Sequence, residues 1–359
     1  MTSPNRSRPV PEEMIGEGYI KNTPALLSTW AQVEKEFAVD ERGHLVDLCF
    51  LLLKPDLLAA GKGSALFDSL LRQGIRPVAA WACLDSSVRH FEELYKFNLT
   101  VNNDQCMLST WWLHNMPYGM GPTIGLLVTA SREDRGDATV ADYVARAKGP
   151  SNPFAARSGQ IRFDLVSTNM ALNLLHSSDD PISSVRETLV FGTMHTLHLA
   201  VSRLRMGSAW AGGGDATVRA EFDRAIMISG HARHDLDLVS TLLRLGLRID
   251  SAANVSRTTE TAALELLNAE GDALERWKRY QHLNSLEYRG AREKSMTGEL
   301  GTLRERLLHP DTYDHQFALS LVASMRAHSL PVSPWEQVVL ETSMFFRSQL
   351  PAITPGGKE

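Results

Sequence analysis

The chain has 359 residues, of which 43% are hydrophobic and 22% charged, and its formal net charge at pH 7 is −5. This length exceeds that of one typical domain, and the composition is ordinary for a globular protein, so we expect two domains. The negative charge excludes a broad basic surface for nucleic-acid backbones. An anionic ligand would therefore need a local positive cluster.

Cysteine usage and hydropathy predict a cytoplasmic protein. Cys49, Cys83 and Cys106 are widely spaced and form neither a disulfide framework nor a zinc-binding spacing. The N-terminus lacks the apolar segment of a secretory signal. No apolar run approaches the ~18 residues that a membrane helix needs. We therefore expect neither a membrane nor a nucleic acid as a partner.

Apolar runs and helical patterns alternate between residues 23 and 192. Thr23 is the predicted cap of a helix that Pro24 begins and that extends to Phe37. Further helices are predicted at 64–74, 86–96 and 139–147, and another begins after Asp180. The predicted strands are Leu45–Leu53, Val78–Leu84, Pro122–Ala130 and, as the fourth, Ile161–Leu165. This order predicts an α+β sandwich with helices on one face of the sheet.

The chain changes character after residue 192, because strand-like runs disappear and helical patterns continue to residue 350. About six helices are predicted there as a bundle, one of them capped by Ser333 before Pro334. The predicted domains are an N-terminal arm with a short helix (1–44), an α+β domain (45–192), an all-helical domain (193–350) and a disordered tail (351–359).

Residues 149–192 contain a single histidine, His176, near the middle of the segment. Upstream lies a loop rich in proline, glycine and serine that ends at Arg162, and downstream Asp179, Asp180 and Pro181 open a helix that contains Glu187. Backbone N–H groups at a helix start and arginine side chains attract anions. The segment is therefore suited to phosphate chemistry.

Seven short motifs, spread in order over residues 45–192, resemble those of nucleoside diphosphate kinases. They are Lys54-Pro55-Asp56, His90-Phe91-x-x-Leu94, Gly121-Pro122, Gly149-Pro150-Ser151-Asn152-Pro153, Gly159-Gln160-Ile161-Arg162-Phe163-Asp164, the run from Asn173 to Asp179, and Glu187. Any one motif is a weak signal, but seven in the family's order make chance agreement improbable.

The resemblance implies a ferredoxin-like, four-stranded antiparallel sheet with helices, followed by the all-α bundle. It also implies transfer of the γ-phosphate of a nucleoside triphosphate, through a phosphohistidine at His176, to a nucleoside diphosphate or a related acceptor. Mg²⁺ would arrive with the nucleotide and take few or no protein ligands. Because the helical extension would cover a surface that family members use for hexamer contacts, we expect a homo-oligomer smaller than the family's hexamer.

The family positions assign roles to individual residues. The implied catalytic residues are His176, Lys54, Arg162, Asn173 and Glu187, and the implied nucleotide-binding residues are Lys54, Phe91, Arg146, Ser151, Arg162, Asn173 and Asp179. An unprotonated imidazole can attack phosphorus, and a carboxylate on its other nitrogen orients the ring. Cationic side chains neutralise charge on the transferring group.

Several positions depart from the family pattern. Leu57 and Ser177 replace glycines, Phe91 replaces a tyrosine, and Ala145 replaces an arginine for which Arg146 or Lys148 could substitute. Two alternatives therefore stay open, namely a catalytically inactive nucleotide-binding module that acts through the helical domain, and a structural scaffold.

Two histidine pairs have the spacing of a metal site. His195-x-x-His198 and His231-x-x-His234 each place two imidazoles on one helix face, but neither pair has a third ligand nearby in the sequence. We therefore predict no protein-bound metal.

Overall fold

The computed structural model describes residues 9–16, 23–100, 111–207, 214–230, 232–253, 255, 259–269, 273–291 and 298–346. The predicted disordered tail, 351–359, and part of the predicted N-terminal arm lie outside these ranges. The chain divides into two compact units. The first comprises Met1–Gly149, Arg157–Leu165 and Leu174–Arg233, and the second comprises Pro150–Ala156, Val166–Asn173 and His234–Glu359.

A four-stranded antiparallel sheet forms the centre of the first unit. Its strands are β1 (Cys49–Leu53), β2 (Ile75–Cys83), β3 (Thr123–Ala130) and β4 (Leu175–Ser177). The spatial order is β2-β3-β1-β4, and each neighbouring pair is antiparallel. Strands β1 and β2 are therefore parallel to each other with β3 between them. The predicted four-stranded antiparallel sheet with helices is confirmed.

The fourth strand is not where the sequence predicts it. Ile161–Asp164 forms a short helix, whereas β4 is the three-residue segment that contains His176. Leu175, His176 and Ser177 pair with Leu53, Leu52 and Leu51 of β1. A three-residue strand has too few residues for an alternating pattern, and only its pairing with β1 defines it.

Helices accompany the sheet in the described part of the first unit, where residues 111–115 are also helical. They are α1 (Pro24–Glu36), α2 (Val39–Arg42), α3 (Pro55–Ala59), α4 (Gly63–Arg72), α5 (Val88–Thr100), α6 (Arg132–Arg135), α7 (Val140–Lys148), α8 (Ile161–Asp164), α9 (Pro181–Phe191), α10 (Met194–Arg205) and α11 (Gly214–Ser229). Thr23 Oγ1 accepts from Leu26 N at the start of α1, and Asp180 Oδ1 accepts from Ser183 N at the start of α9.

Helices cover both faces of the sheet, so the prediction of one covered face is wrong. Phe50 and Leu52 pack into a core with residues of α1, α5, α9 and α10. Cys49, Leu51 and Leu53 point to the opposite core, which includes residues of α4, α7 and α11. All five residues of β1 are buried, as expected for a strand that is covered on both sides.

The boundary between the two units differs from the predicted one at residue 192. Helices α10 and α11 belong to the sheet unit. Phe222 of α11 packs on Phe67 with ring centroids 5.0 Å apart, and Arg203 of α10 donates to the carbonyl of Val78 in β2 at 2.6 Å. Helical periodicity alone cannot reveal that the partner of an apolar helix face is a sheet.

The regular secondary structure described in the second unit is helical. Its helices are α12 (Leu238–Ala252), α13 (Glu260–Asn268), α14 (Ala273–Ala291), α15 (Glu299–Leu307), α16 (His315–Ala327) and α17 (Pro334–Phe345). Ser333 caps α17 as predicted, in a reciprocal capping box with Glu336. Eight helices, rather than about six, follow residue 192 in the described ranges. None of the chain's described helices is both long and apolar enough to span a membrane.

Candidate active site

His176 lies in the middle of β4, directly opposite Leu52 of β1. Cross-strand partners share a face of the sheet, so its side chain is on the face that α5 and α9 cover. Lys54 follows β1 immediately, and its backbone N–H donates to the carbonyl of Leu174 at 3.0 Å. Strand pairing therefore brings Lys54 and His176, which are far apart in sequence, to the same end of the sheet.

Glu187 holds the His176 ring from α9. The distance from His176 Nε2 to Glu187 Oε2 is 2.8 Å, and the carboxylate also accepts from Ser178 Oγ at 2.5 Å and from Arg186 Nη2 at 3.0 Å. Burial alone would raise the pKa of Glu187, but the charge and hydrogen bond of His176, with Arg186 and Ser178, hold it below its usual value. Glu187 is therefore an ionised acceptor.

The protonation of the ring follows from this contact. An ionised carboxylate only accepts hydrogen bonds, so His176 Nε2 carries a hydrogen and the neutral ring keeps its lone pair on Nδ1. Among the described residues, no hydrogen bond involves Nδ1. The edge of the Tyr95 ring contacts the imidazole, with centroids 5.5 Å apart and planes at 74°. Nδ1 is thus the nitrogen that can act as a nucleophile.

Three cations from separate segments lie near this end of the sheet. Lys54 and Arg162 are 3% and 4% exposed, and Lys148 is half-buried at the end of α7. Burial, reinforced by the charge of Arg162, lowers the pKa of Lys54 to about 8 despite the opposing charge of Asp56. Burial and the charge of Arg162 likewise lower the pKa of Lys148 to about 8. Burial lowers the pKa of Arg162 to about 10.

These lowered pKa values have a direct electrostatic meaning. Each cation is less stable in its charged form than it would be in water, and the charges disfavour one another. An anion beside Lys54 and Arg162 would reverse both effects, because it replaces lost hydration with a favourable charge interaction. The cluster is therefore suited to an anionic ligand such as a phosphate group.

The cations also have contacts within the protein. Lys54 Nζ is 4.0 Å from Asp56 Oδ1 and 5.8 Å from the centre of the Tyr118 ring. Lys148 Nζ donates to Ser177 Oγ at 2.6 Å. Arg162 donates to the carbonyls of Gly149 at 2.9 Å and of Leu175 at 2.8 Å, and the second bond attaches it to the residue before His176.

Phe91 is not an open binding surface for a base. Its ring is buried in the core, with the rings of Tyr95, Trp111 and Tyr118 at centroid distances of 4.8, 4.5 and 5.0 Å. Phe91 lies on the apolar face of α5, and that face packs against the sheet. Packing, rather than base stacking, thus accounts for the aromatic side chain at this position.

The other predicted site residues have different surroundings. Arg146 and Asp179 are exposed, and Arg146 contacts Asp142 and Tyr143 of its own helix. Ser151 and Asn173 belong to the second unit, where the Asn173 amide donates to the Met170 carbonyl at 2.7 Å. The structure therefore pairs His176 with Glu187 and attaches Lys54 and Arg162, by hydrogen bonds to Leu174 and Leu175, to the residues before His176. The roles assigned to all the site residues stay predictions.

Sequence reasoning did not include three neighbours of the histidine in the site. Tyr95, Ser178 and Arg186 contact His176 or its partner Glu187. Arg186 also donates to the carbonyls of Glu93 and Leu94 in α5 at 2.6 and 3.3 Å. Tyr95 is one helical turn after Phe91, so the apolar face of α5 was a signal that could have found it.

Comparison with known proteins finds a partial similarity of fold. No protein-family model and no curated protein matches the chain. Among solved structures, 42% of the chain is similar to the nucleoside diphosphate kinase of Encephalitozoon cuniculi in its cubic apo form, with 16% identity, 91% of that chain covered and a TM-score of 0.35. The Aquifex aeolicus nucleoside diphosphate kinase matches 42% of the chain with 17% identity, 97% of its own length and a TM-score of 0.35. The likeness is one of fold over part of the chain and assigns no family.

Proposed function

We propose that the sheet unit is a nucleotide-dependent phosphotransferase in which His176 carries the phosphoryl group. The observation that carries this proposal is the 2.8 Å contact between His176 Nε2 and the ionised Glu187 carboxylate. It leaves the lone pair of the neutral ring on Nδ1. The acceptor would be a nucleoside diphosphate or a related phosphorylated molecule.

The proposed reaction has two in-line steps. In the first, the Nδ1 lone pair attacks the γ-phosphorus, an N–P bond forms, the bond to the β–γ bridging oxygen breaks, and the nucleoside diphosphate leaves. In the second, a phosphate oxygen of the acceptor attacks the phosphohistidine, the N–P bond breaks, and His176 returns to its neutral form. Mg²⁺ enters as part of the nucleotide substrate.

The residues around His176 support both steps. Phosphorylation of Nδ1 gives the ring a positive charge, which the Glu187 carboxylate stabilises through the Nε2 hydrogen bond. Lys54 and Arg162 supply positive charge for the phosphate oxygens. Because Glu187 is itself held by Ser178 and Arg186, the ring keeps one orientation in both steps.

The experiment is incubation with γ-labelled ATP and Mg²⁺, followed by denaturation. We expect one label per chain that is stable to base and labile to acid, and we expect His176→Ala to lose it. His195→Ala is the matched control, because His195 is an exposed histidine on α10 of the same unit. Absence of label from the wild type, or unchanged label in His176→Ala, would overturn the proposal.

A second candidate is a nucleotide-binding module without transfer. Arg162 favours it, since this side chain donates to two backbone carbonyls and has a structural role without any ligand. This candidate predicts that ATP raises the melting temperature while no label appears, because a ligand that binds the native state stabilises it. The thermal shift and the label, measured on one sample, distinguish the two functions.

A further inference from the structure

A cluster of three different metal-ligating groups lies where β2 ends and the chain passes through a short loop into the first turn of α5. Cys83 Sγ, a carboxylate oxygen of Asp85 and a ring nitrogen of His90 all lie within 4.8 Å of one another. The Cys83 Sγ to Asp85 Oδ1 distance is 3.6 Å. None of these three side chains takes part in the proposed phosphoryl transfer.

We propose that Cys83, Asp85 and His90 bind a zinc ion, with water as the fourth ligand. Thiolate, imidazole and carboxylate are the three side-chain groups that zinc takes in proteins, and three such ligands leave one position of a tetrahedron open. With Zn–S near 2.3 Å and Zn–O near 2.0 Å, the S···O edge of a tetrahedron is about 3.5 Å. The observed separation of 3.6 Å fits that edge.

The surroundings orient the ligands and give an ion access to them. The Nδ1 atom of His90 is 2.9 Å from Ser87 Oγ, and the ring packs against Phe191 with centroids 5.5 Å apart. Cys83 is buried, whereas Asp85 is exposed. An oriented imidazole and a buried thiol favour specific binding, and the exposed carboxylate leaves room for solvent in the fourth position.

The position of the cluster suggests what the ion does. It would join the last residue of β2 to the first turn of α5, the helix that carries Tyr95 against His176 and the Glu93 and Leu94 carbonyls that accept from Arg186. Zinc would therefore stabilise the helix that packs against the histidine. An ion that binds the folded chain more tightly than the unfolded chain raises the melting temperature.

The test uses the full chain, freed of metal and kept reduced with a phosphine. Zinc is titrated in competition with a chromophoric chelator, and cobalt is added in a parallel sample. We expect one zinc per chain, a higher melting temperature, and a thiolate-to-cobalt charge-transfer band. Cys83→Ser should abolish the band, and Cys83→Ser, Asp85→Asn and His90→Asn should each weaken zinc binding at least about tenfold, since loss of a mere supporting residue already costs that much.

Two control variants should leave the site intact. Cys106→Ser tests whether another thiol binds cobalt, and His195→Asn tests the His195-x-x-His198 pair. Asp85→Asn alters an exposed side chain, so its effect does not depend on repacking of the core. The proposal is overturned if the wild type binds no zinc below about 10 μM. It is equally overturned if the cobalt band persists in Cys83→Ser or if Asp85→Asn binds as tightly as the wild type.

Discussion

Glu187 accepts a hydrogen bond from His176, with 2.8 Å between Nε2 and Oε2. Glu187 lies on α9, and only three residues separate this helix from the strand that holds the histidine. Asp180 caps that helix, so the strand, the cap and the first turns of α9 together set the position of the carboxylate. Glu187 then determines which ring nitrogen keeps its lone pair, because the ionised group can only accept. The predictions below begin from this pair.

Glu187→Gln should slow labelling by ATP about 100-fold or more, because the amide removes the charge that stabilises the phosphorylated ring and no longer requires one tautomer. Single-turnover labelling measures the rate, and equilibrium binding of a non-hydrolysable ATP analogue should change little. The matched control is Ser178→Ala, which removes one partner of Glu187 but keeps the carboxylate, so it should have the smaller effect. Labelling of Glu187→Gln at the wild-type rate would contradict the role of this carboxylate.

Arg186→Met should lower the free energy of unfolding by roughly 3 kcal/mol, the usual cost of removing one partner from a buried ion pair. The substitution leaves the Glu187 carboxylate without its cation and removes hydrogen bonds to two carbonyls of α5. Urea denaturation measures the change. Arg205→Met removes a half-exposed arginine paired with Asp40 and Glu41, and it should cost less than about 1 kcal/mol. Equal losses of unfolding free energy in the two variants would show that burial gives the Arg186–Glu187 ion pair no extra stability.

The affinity for ATP should fall as the pH rises above about 8. The pKa of Lys54 is lowered to about 8, so this lysine loses its charge in the free protein at a lower pH than an ordinary lysine does. Calorimetric titration from pH 7 to pH 9.5 measures the effect. Lys54→Arg, which stays charged throughout, should keep more of its affinity at pH 9. A wild-type dissociation constant that stays constant to pH 9.5 would exclude Lys54 from the anion site.

The free energy of unfolding without ligand should rise with pH because of Lys148, whereas the affinity for ATP should fall. Its ordinary pKa is 10.5 and its folded pKa is about 8, so the unfolded chain binds more protons between these values and the free energy of unfolding rises with pH there. Burial raises the pKa of Cys49 and Tyr95, and these groups oppose the rise at higher pH. We therefore compare variants rather than absolute curves.

Lys148→Met should be more stable than the wild type at pH 7, and the difference should shrink as the pH rises from 8 towards 10.5. Thermal denaturation at several pH values measures both. A Lys148→Met chain that melts below the wild type at pH 7 would mean that the hydrogen bond to Ser177 outweighs the cost of burial.

The chain should form an oligomer smaller than a hexamer. Helices α10 and α11 pack on β2, which is an edge strand of the sheet. The Arg203 guanidinium donates a hydrogen bond to the Val78 carbonyl of that strand. A covered edge cannot pair with the same edge of a second copy. Light scattering of the full chain gives the mass directly, and a hexameric mass would refute this expectation.

The sequence by itself determined the elements that have strong local signals. Three apolar runs became β1, β2 and β3, although β1 is shorter than predicted, and Thr23, Asp180 and Ser333 cap helices where the sequence predicts them. These features are local, because a cap satisfies backbone groups of the next turn and an apolar run needs only a buried partner. The motif order also identified His176, Lys54, Arg162 and Glu187 as residues to examine together.

Tertiary structure decided everything that depends on a partner distant in the chain. It made a three-residue segment into β4 by pairing it with β1, and it placed α10 and α11 on the sheet. It buried Phe91 among other rings and brought Cys83, Asp85 and His90 within reach of one ion. The physical reason is that local sequence sets backbone preference and polarity, whereas long-range packing sets which polar groups are desolvated together, and with them the pKa values and the chemistry of the site.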